Sequence, residues 1–405
     1  MRPPLPPTTR RGRLLFIVVL GSLTAFGPLS IDMYLPGLPE MSRSLDATAS
    51  EAQLTLTACL IGLAVGQLLA GPLSDRLGRR RPLLLGVAAY SAASVLCALS
   101  PSVEVFTGLR LVQGLAGAAG IVISRAAVRD MYAGVAAARF FSILMLVNGV
   151  APILAPVIGG QLLKVTSWRG VFVALAVIGF ALLVASAAAF HETLPPERRR
   201  SDGLRATLAT FRALCRDRVF VGYALTCGLS FAAMFSYIAG SPFVLEDIYG
   251  ISPQVFSAVF AANAVGIVAT SQLNHRLLAR FTPLALLSAA VLVGGAAGVA
   301  LLAVVLIGGL GVWAVLVPLF VVVSSVGAVM PNSTALALTD HPEAAGSASA
   351  LLGMLQFVIG AGVAPLVGVA GKDTAVPMAL MIALLSVGAI AALAALTRRR
   401  GVVPA

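Results

Sequence analysis

Twelve long apolar runs recur along the whole chain, and they constrain its fold more than any other feature of the sequence. A helix needs about 20 apolar residues to cross roughly 30 Å of hydrocarbon, and each run is close to that length. A spanning strand would need only about ten residues with strict alternation, which these uninterrupted runs lack. We therefore predict an all-α membrane protein whose helices lie near residues 14–34, 52–73, 82–100, 105–125, 140–163, 170–190, 219–240, 254–274, 282–302, 310–332, 346–369 and 376–396.

The charged residues are few and unevenly placed. Only 11% of the 405 residues are charged, too few to cover a water-soluble protein of this size. The net charge of +12 would suggest a nucleic-acid partner in a soluble protein. Here 23 of the 28 Lys and Arg residues fall in alternate segments between the runs, beginning with the amino terminus. This positive-inside pattern predicts a multi-pass protein with both termini in the cytoplasm and no nucleic-acid partner.

A polar stretch divides the runs into two groups of six. It contains Pro195, Pro196 and three arginines at 198–200, so we predict bundles at 1–191 and 219–405 joined by a cytoplasmic linker at 192–218. A short repeat supports this division, because LSDRL at 73–77 precedes Pro82 and LNHRL at 273–277 precedes Pro283. Both segments join the second and third helices of their half, as expected for two pseudo-symmetric bundles.

The glycine-bounded loop at 71–82 carries one acid among several arginines. Asp75 can accept hydrogen bonds from Arg79 or from exposed amides at a neighbouring helix N-terminus, where a negative charge is favoured. Such a clasp would hold one conformation of the bundle. An ordinary positive-inside loop would explain the arginines but not the glycines or the single Asp. The candidate latch residues are Gly71, Asp75, Arg76, Gly78, Arg79 and Arg80.

Two charged residues lie inside predicted spans. Asp32 lies about 27 Å across the membrane from the start of the first run, and Arg110 lies about 8 Å below the outer face. An arginine in a spanning segment costs at least a few kcal/mol unless it faces water or a partner. At this shared depth we expect Asp32 to carry the exchangeable proton and Arg110 to alter its proton affinity. The alternative is that Asp32 lies in the hydrated headgroup zone and caps a loop.

The fifth run carries small residues at intervals of about four, together with two prolines. Small residues let helices approach closely, and prolines bend the backbone. The segment resembles the antiporter motif of proton-coupled drug exporters, although a generic close-packed helix would show the same pattern. Its candidate residues are Gly149, Pro152, Pro156, Gly159 and Gly160.

Several segments together resemble the Bcr/CflA family of drug resistance transporters, within the major facilitator superfamily. They are DMYLP at 32–36, the loop at 71–82, RLVQG at 110–114, the run at 149–160, ETLPPERR at 192–199 and SPFV at 241–244. The resemblance implies a twelve-helix major facilitator fold and a drug/proton antiporter of the bacterial inner membrane. It implies export of compounds such as bicyclomycin, chloramphenicol and sulfonamides, with the proton as coupling ion and no other cofactor.

The substrate cavity of such a protein would be mostly apolar with a few polar groups, which suits amphipathic drugs. Aromatic and amide side chains on the helices are the candidates for its lining, although each could instead be a packing residue. They are Tyr34, Gln113, Asn148, Phe231, Phe235, Tyr237, Asn263, Asn332 and Gln356.

Other classes of protein fit the sequence less well. An ATP-driven pump would need a GxxxxGK[ST] phosphate loop, which the sequence lacks. A membrane enzyme would need convergent titratable groups, but His191, His275 and His341 are scattered without metal-ligand spacing, so we predict no catalytic or metal site. The open alternative to drug export is transport of an endogenous metabolite, such as a sugar, an amino acid or a natural product. Neither function requires more than a monomer.

Overall fold

The computed structural model describes residues 10–132, 134–199, 203–341, 345–369 and 374–397. Every regular element in these ranges is helical. The α-helices are α1 (Arg10–Thr24), α2 (Phe26–Asp32), α3 (Leu38–Ser44), α4 (Ala49–Leu77), α5 (Arg80–Ala98), α6 (Val103–Met131), α7 (Gly134–Leu162), α8 (Trp168–Ala189), α9 (Gly203–Leu214), α10 (Arg218–Pro242), α11 (Pro253–Leu277), α12 (Pro283–Ile307), α13 (Gly311–Thr339), α14 (Ala345–Val367) and α15 (Val376–Leu396). Leu35–Gly37 and Pro196–Arg198 are 3₁₀ turns, and Phe243–Ile248 continue α10 as a π-helix.

Ten of the described helices are long and apolar enough to cross a membrane. An eleventh span follows if the bent helical path from Phe16 to Ser44 is taken as one. Each of the twelve predicted runs overlaps one of the helices above, the fifth run corresponding to α7. The prediction of an all-α, multi-pass membrane protein is therefore confirmed.

The chain separates into two compact units. The first comprises Met1–Gly203 with Ser252–Ala261, and the second comprises Leu204–Ile251 with Ala262–Ala405. The division after Gly203 lies inside the linker predicted at 192–218. The first turns of α11 belong to the first unit, which the boundaries taken from the sequence do not include.

In the first unit, α4 and α6 approach each other through glycines. A Cβ atom on Gly62 would overlap the carbonyl oxygen of Leu111, and one on Gly114 would overlap the carbonyl oxygen of Cys59. Backbones this close leave no room for a side chain at either position. Because α6 also carries Arg110, this contact determines where the guanidinium lies in the unit.

The second unit contains a comparable contact between α11 and α13. A Cβ atom on Gly327 would overlap the carbonyl oxygen of Ile267. One turn further along α13, the Asn332 side-chain amide donates to Oδ1 of Asn274 at 2.6 Å. Both amides are buried, so this hydrogen bond satisfies polar groups that would otherwise be costly inside the unit.

The first predicted span is not one straight helix. Its path bends by 44° between Phe16–Thr24 and Phe26–Ser44, and α2 ends at Asp32. A 3₁₀ turn with Pro36 follows, because proline has no amide hydrogen with which to continue α-helical bonding. Met33 and Tyr34 therefore lie between two helical segments, and both are fully buried.

Candidate functional site

Arg110 on α6 is completely buried in the first unit. Its NH1 donates to Oε1 of Gln113, one turn along the same helix. Its guanidinium carbon lies 4.8 Å from the ring centroid of Tyr34 and 5.5 Å from that of Phe172. Aromatic faces attract a cation through their quadrupole, and this attraction strengthens when water is excluded. The Nε and NH2 groups have no hydrogen-bond partner among the described residues.

A chain of hydrogen bonds holds the groups around Arg110 in place. Gln113 Nε2 donates to the Ser94 hydroxyl at 2.7 Å, and that hydroxyl donates to the Tyr90 carbonyl at 2.8 Å. The Tyr34 hydroxyl hydrogen-bonds with the Thr55 hydroxyl. Gln113 and Tyr34 were both predicted as cavity residues. In the structure their side chains form hydrogen bonds within the unit and contact the guanidinium.

Asp32 ends α2 and is only 6% exposed. We expected it to act with Arg110 because the two residues share a depth in the membrane. No ion pair within 4.0 Å joins them among the described residues. The structure instead brings Tyr34, two residues after Asp32, against the guanidinium. In this conformation Arg110 therefore contacts the turn that follows Asp32 and forms no ion pair with the Asp32 carboxylate.

The antiporter-like segment of α7 contacts the same turn. A Cβ atom on Gly159 would overlap the carbonyl oxygen of Met33, so only glycine fits at this position without a shift of backbone. Gly160 lies against Ser257 in the same unit, and its carbonyl oxygen accepts from Gln254 Nε2 at 3.0 Å. No atom of the described residues lies within 4 Å of a Cβ atom on Gly149. The close contacts of the segment are therefore concentrated at its carboxyl end, beyond Pro152 and Pro156.

A second group of charged residues surrounds Arg79, between α4 and α5. Its NH1 lies 2.6 Å from Asp75 Oδ1 and donates to the Ser74 hydroxyl at 2.7 Å. Its Nε donates to Asp130 Oδ2, at the end of α6, at 2.9 Å. Burial lowers the pKa of Arg79, but hydrogen bonds and attraction from Asp130 and Asp75 outweigh it and raise the pKa above its ordinary value. We call Asp75, Arg79, Asp130 and Glu192 the Arg79 cluster.

Glu192 completes this cluster from the segment after α8. Its carboxylate accepts from the backbone amides of Arg79 at 2.7 Å and Arg80 at 3.3 Å, at the start of α5. A negative charge is stabilised at a helix N-terminus, where amides lack intrahelical partners. Gly78 has φ of +90°, and a Cβ atom there would overlap the Glu192 carboxylate. Two partners were predicted for Asp75, namely Arg79 and the amides at a helix N-terminus. Asp75 pairs with Arg79, whereas the amides at the start of α5 donate to Glu192 instead.

The remaining latch candidates lie at the edge of the Arg79 cluster. Gly71 precedes Ser74 by one turn, and its carbonyl oxygen accepts from the Ser74 hydroxyl at 2.9 Å. The Arg80 side chain donates to the carbonyl oxygens of Ala187 and Phe190, which join the start of α5 to the end of α8. Arg76 is exposed.

The candidate cavity residues of the second unit are partly committed to internal contacts. Asn263 donates to the Tyr237 hydroxyl at 2.8 Å, and Asn332 donates to Asn274. Phe231 stacks on Phe235 with ring centroids 6.1 Å apart. Gln356 donates to the Cys227 sulfur at 3.1 Å, and both Gln356 and Phe231 are half-buried. The Asn148 side chain lies outside the described part of the structure.

Three residues of these sites were not predicted from the sequence. Asp130 and Glu192 are 51 and 113 residues from Arg79, and Phe172 belongs to α8 while Arg110 belongs to α6. Asp130 could have been noticed as an acid beside a basic residue at the end of an apolar run. Phe172 carries no distinguishing signal in a run rich in apolar residues.

The chain is similar in sequence and in fold to known transporters. The family model of the Major Facilitator Superfamily matches residues 20–365. The MFS-type transporter YdgK of Bacillus subtilis (strain 168), described as uncharacterized, is 42% identical over 386 residues, covering 95% of this chain and 96% of the relative. A bicyclomycin resistance protein homolog of Haemophilus influenzae is 32% identical over 372 residues, covering 91% and 92%. The crystal structure of a D-xylose–proton symporter has a similar fold, with a TM-score of 0.72 at 17% identity, covering 93% of this chain and 96% of that one.

Proposed function

The chain belongs to the major facilitator superfamily, and on that premise we propose that it exports small amphipathic drugs in exchange for protons. It is a transporter rather than an enzyme, and one of its relatives is named for bicyclomycin resistance. The proposed substrates are phenicols or bicyclomycin-like compounds. Export would proceed by alternating access of a monomer in a bacterial inner membrane, with both termini in the cytoplasm. Its partners would be the drug, protons and the bilayer, with no nucleic acid.

The observation that carries this proposal is the position of Asp32. Its carboxyl group is buried at the end of α2, and the next residue, Met33, contacts Gly159 of α7 through its carbonyl oxygen. A buried carboxylate is costly when it is ionised. A carboxyl group at this place can therefore take up a proton in one conformation and release it in another. The contact with Gly159 connects that event to the antiporter-like helix.

Arg110 is the second component of the proposed coupling. An ionised Asp32 is attracted by the guanidinium, whose Nε and NH2 have no partner in the described part of the chain, whereas a protonated Asp32 is not. Tyr34 lies against Arg110 in the same turn that contacts Gly159, so a shift of this turn changes both contacts. The two protonation states therefore favour different positions of the turn, as an exchange cycle requires.

The drug itself would contact a smaller set of residues than the sequence suggested. Tyr34, Gln113, Asn263 and Asn332 are engaged in hydrogen bonds within their own unit. The half-buried Phe231 and Gln356 keep exposed surface and are the first candidates for drug contact. An aromatic face with one amide matches a mostly apolar ligand that carries a few polar groups.

The test is drug-stimulated proton release from acidified, inverted membrane vesicles over a panel that includes phenicols and bicyclomycin. The parent protein is compared with Asp32→Asn and with Asp46→Asn. Asp46 is an exposed acid with φ of 51°, a conformation that asparagine also adopts, so this variant makes the same chemical change away from the turn. We expect the parent and Asp46→Asn to release protons and Asp32→Asn to release none at equal protein level.

Release that persists in Asp32→Asn would place the proton site elsewhere. No drug-stimulated release by the parent, together with uptake or efflux of a sugar, amino acid or natural product, would replace drug export by metabolite transport. One net charge moving through 100 mV supports roughly a fiftyfold drug gradient, which sets the accumulation to be expected without a pH difference.

Two glycine variants test the contact between the turn and α7. Gly159→Ala inserts a methyl group against the Met33 carbonyl and should reduce drug-stimulated proton release. Gly149→Ala makes the same change on the same helix at a position with no described atom within 4 Å, and it should leave release unchanged. Equal effects of the two variants would contradict a role for the Met33 contact.

A further inference from the structure

The second repeat segment, LNHRL at 273–277, adjoins a groove that the proposed function does not use. Residues of α11, α12 and α13 in the second unit enclose about 290 Å³ there. Leu273, Val293 and Phe320 line the groove and are 54%, 54% and 42% exposed. In a multi-pass membrane protein, apolar surface of this kind on a spanning helix is solvated by lipid chains. The groove therefore opens where acyl chains are the available ligand.

Two arginines, at 276 and 280, flank Leu277 in the chain, and Leu277 is the last residue of α11 that lines the groove. Arg276 lies one turn after Leu273 in α11, which places these two residues along one face, and Arg280 lies in the turn that follows the helix. In this turn the amide of Arg280 donates to the Leu277 carbonyl at 2.9 Å. Leu286, in the first turn of α12, lines the groove near the same turn between helices. Both arginines are exposed, and neither forms an ion pair with an acid of the described chain.

The two repeat segments differ in whether they carry an acid. In LSDRL at 73–77, Asp75 pairs with Arg79, and Asp130 pairs with the same arginine. The second segment has His275 at the position of Asp75, and the adjacent Asn274 turns inward to Asn332. The cations of the second segment therefore have no carboxylate of their own to neutralise them in the described chain.

We propose that this groove binds one anionic phospholipid of the surrounding bilayer. An acyl chain would lie against Leu277, Ala289 and Phe320, and the phosphate would be held by Arg276 and Arg280. The stretch of α12 from Leu286 to Val293 is about 10 Å long, enough to contact part of one chain. Basic groups beside a groove between spanning helices are a recognised arrangement for anionic headgroups.

The experiment measures lipid retention by the full chain. The protein is reconstituted in nanodiscs of equal parts phosphatidylglycerol and phosphatidylcholine and is then released from them inside a native mass spectrometer. The lipids that stay bound are counted by mass. The parent should retain one phosphatidylglycerol in preference to phosphatidylcholine. The double variant Arg276→Gln/Arg280→Gln should bind phosphatidylglycerol roughly thirtyfold more weakly, as expected for the loss of two arginines from an anionic surface.

Two further comparisons separate this site from general charge effects. Arg212→Gln/Arg216→Gln removes two exposed arginines at the same spacing of four elsewhere in the second unit, and it should leave retention unchanged. Ala289→Trp fills the groove while keeping both arginines, and it should reduce retention, whereas Ala300→Trp, an exposed position outside the groove lining, should not.

Equal retention of the two lipids by the parent would overturn the proposal. So would full retention by Ala289→Trp, because the headgroup would then bind without the groove. Equal losses in the two double arginine variants would overturn it too, since net charge alone would explain them. None of these results depends on drug transport or on proton exchange.

Discussion

Arg79 and Arg110 are both buried in the first unit, but they are stabilised in opposite ways. Arg79 is 5% exposed and is neutralised by Asp75 and Asp130, with Ser74 as a further acceptor. Arg110 is 0% exposed and has aromatic faces and one amide around it, and two of its nitrogens have no partner among the described residues. A buried charge is costly unless it is paired. The difference suggests that Arg79 serves the structure of the unit, whereas Arg110 is kept in spite of its cost.

The largest expected effect comes from removing the paired cation. Arg79→Met should lower the free energy of unfolding by about 3 kcal/mol, because it leaves two carboxylates without their partner. Arg76→Met removes an exposed arginine of the same loop and should change stability by less than about 0.5 kcal/mol. Denaturant unfolding in detergent micelles measures both. Similar effects for the two variants would mean that the ion pairs of Arg79 contribute little.

Replacing Arg110 by methionine should change the free energy of unfolding in the opposite direction. Arg110→Met should raise the free energy of unfolding by roughly 1 kcal/mol or more, because two unsatisfied buried donors are removed. The variant should nevertheless lose drug-stimulated proton release. A stable and inactive variant would sharpen the contrast with Arg79. A loss of stability as large as that of Arg79→Met would show that Arg110 is a structural cation after all.

The charge of Glu192 is expected to matter less than that of Arg79. Glu192→Gln keeps an oxygen acceptor for the amides at the start of α5 but removes the negative charge from the helix N-terminus. We expect a loss of about 0.3–1 kcal/mol, reduced at high salt. Glu197→Gln, an exposed acid of the same segment, is the control and should have no effect. If the two variants behave alike, the contact with α5 is not stabilising.

The smallest effect is expected at a half-exposed pair in the second unit. Asp217 accepts from the Val219 amide at 2.8 Å, and its other oxygen lies 2.8 Å from His341 Nε2. Partial burial raises the pKa of Asp217, but hydrogen bonds from His341 and from backbone amides outweigh it and lower the pKa below its ordinary value of 3.8. The lowered pKa means that the ionised form stabilises the fold, and this contribution disappears as the pH falls below 3.8.

Asp217→Asn keeps the cap on α10 and removes the charge. The parent should be more stable than this variant by about 0.2–1 kcal/mol at neutral pH, and the difference should shrink as the pH falls below 3.8. Unfolding of both proteins across that range is the measurement. A difference that is the same at both ends of the range would assign the effect to the hydrogen bonds rather than to the charge.

Much of the architecture could be predicted from local patterns. Each apolar run overlaps a helix because a helix satisfies its own backbone groups, and in lipid that requirement depends only on the segment itself. The 44° bend between Thr24 and Phe26 was not predicted, although Pro28 was visible, because proline is also tolerated in the first turn of a helix. The pairing of Asp75 with Arg79 was predicted because both residues lie in one short glycine-bounded loop, where no packing between distant segments is needed to bring them together.

The sequence by itself determined that this chain is helical, lies in a membrane and belongs to its superfamily, since apolar length and short motifs are properties of contiguous residues. Only the tertiary structure decided which side chains meet. It brought Glu192 to α5, Asp130 to Arg79 and Tyr34 to Arg110, and it left Asp32 and Arg110 without an ion pair. Depth along a helix axis can be counted from the sequence. The direction in which a side chain points depends on how neighbouring helices pack, and here that packing rests on glycine contacts between residues far apart in the chain.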